Sequence, residues 1–68
     1  MIATYEDLIA QCTSAGIRGH YDLAEQACLD LYLAVEAETE AGTPNALTEG
    51  LAARQRMIEI MGMYFPPE

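Results

Sequence analysis

The sequence predicts an all-α fold, a small three-helix bundle in which one short helix packs on a long antiparallel helical hairpin, with pairing into a homodimer as a further expectation. Three observations predict it. Ala, Leu, Met and Glu are prominent and β-branched residues scarce, which favours helices over sheet. Apolar residues recur at helical rather than alternating spacing in three successive stretches. Short glycine-bearing segments, "GIRG" at 16–19 and "GTPN" at 42–45, separate those stretches and bring neighbouring helices antiparallel. The 68 residues form one helical domain, 1–68. A chain of this size buries only roughly 60% of the surface its unfolded form exposes, so its core is marginal and gains from association.

The first helix is expected to start at Thr4, whose hydroxyl serves as N-cap, with Glu6 and Asp7 beside the positive end of the dipole. Tyr5, Leu8, Ile9, Cys12 and Ala15 make one apolar stripe, and Gly16 is the expected left-handed stop. The second helix runs from His20 or Tyr21 to Ala41 and ends at Gly42. Thr43 is expected to cap the third helix, with Pro44 as its first residue, where a missing N–H costs nothing. That helix continues to about Met63, and "FPPE" prevents its extension.

Within the second helix, "GHYDLAEQACLDLYLA" resembles the second half of a tetratricopeptide motif, with Gly19, Tyr21 and Ala24 at the matching positions. The resemblance covers about a quarter of the chain and implies helix-hairpin packing. The preceding helix lacks the Trp-x-x-Leu-Gly order, and a single repeat has no neighbour to stack on, so no binding residues are carried over.

Projected on a helical wheel, the second helix has a core face of Leu23, Ala24, Ala27, Cys28, Leu31, Ala34 and Val35, with Tyr32 at its edge. Leu29 and Leu33 fall outside it, ringed by Asp22, Glu25 and Glu36. An apolar pair with a polar rim is covered by helix one, by a second copy or by a partner, or is ordinary surface scatter. In the third helix the apolar arc comprises Leu47, Gly50, Leu51, Met57, Ile58, Met61 and Phe65, widened by Ala53, Ile60 and Tyr64. Arg54 lands inside this arc, either laying its stem over the core or pairing with a carboxylate. Gly50 in mid-helix implies the close approach of another helix, because glycine there costs about 1 kcal/mol relative to alanine.

Charge narrows the functional classes. Eleven acidic residues stand against Arg18, Arg54 and Arg56, with no lysine, for a net charge of -8. Such a chain is not expected to bind nucleic acid directly or to dock on an anionic membrane; it is steered toward basic partners. "MIATYEDL" shows no basic segment followed by an apolar one, so no secretory signal is expected, and no apolar run is long enough to span a bilayer. Cytoplasmic residence is the default expectation.

Cys12 and Cys28 lie on apolar faces and read as free, buried small hydrophobes. With His20, the single histidine, they match no zinc spacing, and no nucleophile has a base beside it. No catalytic residue, metal or cofactor is expected, and the chain is not read as an enzyme. The expected function is a small acidic regulator that inhibits a larger, nucleic-acid-binding protein by occluding its functional surface. The contact residues expected are Leu29, Tyr32, Leu33, Glu36, Arg54, Met57 and Met61. Three alternatives stay open: an assembly or secretion chaperone holding a partner helix between helices two and three, a charge mimic of nucleic acid, and a homodimeric structural component.

Overall fold

Three helices follow one another along the chain, α1 over Ala3–Ile17, α2 over Tyr21–Glu40 and α3 over Ala46–Tyr64. The computed structural model describes residues 1–67. Its dimensions are 39 × 15 × 15 Å, the outline of three helices lying side by side. The connections reverse direction twice, so α2 is antiparallel to both neighbours. The register of the α2/α3 hairpin is visible in three pairs that face one another: Tyr21 with Phe65, Tyr32 with Arg54 and Val35 with Gly50.

Glycine ends the first two helices by the same device. The Gly19 N–H donates to the Gly16 carbonyl at 3.1 Å and the His20 N–H to the Ala15 carbonyl at 2.8 Å. At the end of α2, Gly42 donates to Thr39 at 3.1 Å and Thr43 to Glu38 at 3.0 Å. These paired bonds form Schellman motifs, which require a left-handed residue; Gly19 and Gly42 supply it at φ 71° and 76°. Gly42 is thus the stop the sequence indicated. Gly16 is not: it stays helical and buried, because the ring of Tyr64 lies where its Cβ would be, 2.5 Å from Cδ2.

Both expected threonine caps are also corrected. Ile2 occupies the N-cap of α1, its carbonyl accepting from the N–H groups of Tyr5 and Glu6. Ile2 packs against the core, and that burial starts the helix before Thr4. At α3 the cap is Asn45, left-handed at φ 61°, a conformation asparagine tolerates better than most residues. Thr43 instead donates its hydroxyl to Glu38 Oε2 at 3.1 Å, and Pro44 belongs to the turn, one residue short of the cap.

Half of the core residues have small side chains. From α1 come Tyr5, Leu8, Cys12 and Ala15; from α2, Ala24, Ala27 and Leu31; from α3, Ala53, Met57 and Ile60. The phenol of Tyr5 is fully buried and donates to the Ala46 carbonyl at 3.1 Å, fastening the start of α1 to the start of α3. Gly50 meets Val35 so closely that a Cβ would sit 2.7 Å from Cγ2, the close helix approach its position implied. Cys12 is buried and Cys28 half-buried, both as free thiols. No helix among the described residues is long and apolar enough to cross a membrane.

Candidate protein-binding groove

The buried stripe of α3 is Ala46, Gly50, Ala53, Met57 and Ile60, not the arc of its largest apolar residues. Leu47, Leu51 and Ile58, expected in the core, are exposed at 60%, 66% and 53%. The physical reason is size. Alanine and glycine along one line let α3 lie close against its neighbours, so its leucines turn outward. In α2, Leu23 is likewise corrected from the core face to the surface; Tyr32, expected at the edge of that face, is exposed, while Cys28, Ala34 and Val35 pack half-buried against the core.

Leu47, Leu51 and Ile58, together with Tyr32, line a groove of about 670 Å³ between α2 and α3, to which α1 contributes nothing. Its floor is formed by Leu31, Val35, Gly50 and Met57. The α3 wall is Leu47, Leu51, Arg54 and Ile58, spaced i, i+4, i+7 and i+11 and therefore aligned on one face. Glu25, Leu29, Tyr32 and Glu36 repeat that spacing along α2, and of these Tyr32 and Glu36 line the groove directly. Met61 lies toward the end of the groove nearer the C-terminus of α3.

Arg54 and Tyr32 meet across the groove, the guanidinium carbon 6.0 Å from the ring centroid, at the outer limit of a cation–π contact. Among the described residues, no carboxylate lies within ion-pair distance of Arg54; Arg56, by contrast, is paired with Glu59 at 3.7 Å on an exposed face. Arg54 is therefore a cation with unused donors beside a trough that is apolar apart from Glu36.

Five of the seven expected contact residues, Tyr32, Glu36, Arg54, Met57 and Met61, line this groove. Met57 is its floor, only 1% exposed, and so acts through shape more than through accessible area. Leu29 and Leu33 do not line it. They are 53% and 65% exposed, so α1 does not cover them. Leu47, Leu51 and Ile58 are the residues the sequence reading assigned elsewhere. The signal that identifies them is the Ala46–Gly50–Ala53 line, which marks where the close packing must be.

Among the described residues, two titratable groups are shifted, both outside the groove wall. Burial, followed by the Glu38 and Glu49 charges, holds the Tyr5 phenol above its ordinary range. The Cys12 thiol is pushed up to about 11 by burial, then by the Cys28 charge and its hydrogen bond with Cys28. Neither is poised for proton transfer near neutral pH. Among the described residues, no group of three or more His, Cys, Asp or Glu side chains gathers to hold a metal ion. Compared with known proteins, the chain matches no family model, no curated protein and no solved structure.

Proposed function

We propose that this chain is a small acidic regulator that works by binding a larger, basic protein and occluding its functional surface, with the α2/α3 groove as the seat of contact. One observation carries the reading: a continuous apolar trough, walled by Leu47, Leu51 and Ile58, that α1 does not line. Leaving such side chains in water is unfavourable by roughly 1.5–3 kcal/mol each relative to full burial, which a partner recovers on docking. A net charge of -8 favours encounter with a basic protein. Leu29 and Leu33, without a trough around them, are secondary to the groove.

The experiment is a capture comparison from the cells that make the protein, using the natural chain, Leu51→Glu and Leu33→Glu. A basic partner is expected to be retained by the natural chain and by Leu33→Glu, and to be lost by Leu51→Glu. The purified partner should lose activity when the natural chain is added. Equal retention by Leu51→Glu rejects the groove as the contact, and undiminished partner activity in the complex rejects inhibition.

A further inference from the structure

We propose that the groove takes one amphipathic helix of the partner, about four turns long, with an apolar stripe inward and Lys or Arg side chains along the flank that faces α2. The inference rests on the protein-binding reading above and names the occupant. Length comes first. From Leu47 to Met61 the α3 side of the groove covers fourteen residue steps, which at the α-helical rise is about 21 Å. A straight trough between two antiparallel helices fits a third rod better than a flat or extended surface, and helix-in-groove docking reads i, i+3, i+4 and i+7 anchors.

Charge then selects the helix. α2 carries Asp22, Glu25, Asp30, Glu36, Glu38 and Glu40 and no basic residue. Glu36 lines the groove beside Tyr32, so the occupant's flank along α2 meets a carboxylate and no cation. The opposite flank meets Leu47, Leu51 and Ile58, with Arg54 as its single cation. That flank is therefore apolar, with one acidic residue positioned to accept from the unpaired Arg54 guanidinium. A second copy of the chain fits this pattern poorly. Placing α2 of one copy against α2 of another opposes acidic walls without any base on either, between molecules that each carry -8.

The test displays helices of about sixteen residues with a fixed apolar stripe and with flanks randomised among Lys, Glu, Gln and Ala, selected against the full chain at moderate salt. Enrichment of Lys on one flank is expected, together with at least tenfold weaker binding of a selected peptide to Leu51→Glu and to Ile58→Glu. Both substitutions change exposed positions, and circular dichroism of each verifies that the helices remain. Acidic or patternless flanks, failure to enrich any peptide, or binding indifferent to both substitutions overturns the proposal. Light scattering on the same preparations measures the oligomeric state: a dimer dissociated by Leu51→Glu places a second copy in the groove and also overturns it. Loss of the captured partner by Leu51→Glu without selection of a basic helix retires the occupant and keeps the groove. Partner capture indifferent to Leu51→Glu retires both.

Discussion

Single residues in this protein carry weight because the core has only five large side chains, Tyr5, Leu8, Leu31, Met57 and Ile60, to share it. Tyr5 is the clearest case, since its ring is wholly buried and its hydroxyl reaches Ala46, forty-one positions along the chain. Its phenol and the Cys12 thiol both hold their protons more tightly folded than at their ordinary values of 10.0 and 9.0. The unfolded chain therefore releases these protons at lower pH than the folded one. Their contribution to stability is fully present below pH 9 and is lost as pH rises through the folded Cys12 value of about 11 and the raised Tyr5 value. Urea midpoints are thus expected to fall steadily above pH 9, and less steeply in Tyr5→Phe, which at neutral pH costs about 1 kcal/mol for the lost hydrogen bond. A midpoint that stays flat to pH 11 contradicts this account. Helical spacing alone puts Tyr5 on the inner stripe of α1; its partner at Ala46 depends on how α1 lies against α3, which no local pattern encodes.

At the scale of helices, two glycines that resemble each other in sequence do different work from Gly19 and Gly42. Gly50 and Gly16 are both helical, and both would press an added Cβ into a neighbouring side chain. Val35, which faces Gly50, is branched at Cβ and held in the groove floor. Tyr64, which faces Gly16, is 36% exposed and is the last residue of α3. Replacing a helical glycine by alanine gains about 1 kcal/mol in propensity, against about 1–3 kcal/mol for forced overpacking. Gly50→Ala is expected to be destabilising by up to about 2 kcal/mol, and Gly16→Ala to be less harmful than Gly50→Ala in the same urea titration. A more stable Gly50→Ala protein rules out close α2/α3 contact at that point. Helix number, order and approximate ends were legible from spacing and from Gly42. The starts of α1 and α3 were not, because tertiary burial of Ile2 and the bond between Thr43 and Glu38 outweighed local capping preference.

For the whole molecule the balance of charge matters more than any single ion pair. Two ion pairs form among the described residues, Arg56 with Glu59 and the Met1 ammonium with Glu49 at 3.2 Å. Most of the eleven acids therefore repel one another across a body only 15 Å wide. A Debye length that shrinks from about 30 Å at 0.01 M salt to about 3 Å at 1 M removes most of that repulsion. The melting temperature is expected to rise as sodium chloride increases from 0.01 to 0.5 M, by about 4–8 °C for each kcal/mol recovered. A melting temperature that falls with salt contradicts net repulsion as the dominant electrostatic effect.

The sequence by itself determined the class of fold, the three helices and their reversals, because helical periodicity and left-handed glycine stops are properties of short segments. It also determined the net charge of -8. The ten buried core residues all lie on the apolar faces that helical spacing picks out, and the tertiary structure decided which of the remaining apolar residues, among them Leu23, Leu47, Leu51 and Ile58, were left outside. Ala46, Gly50 and Ala53 won the interior of α3 over Leu47, Leu51 and Ile58 because three helices close only where their small residues meet. The larger side chains left outside then line the groove, a surface that exists only once α2 and α3 are side by side.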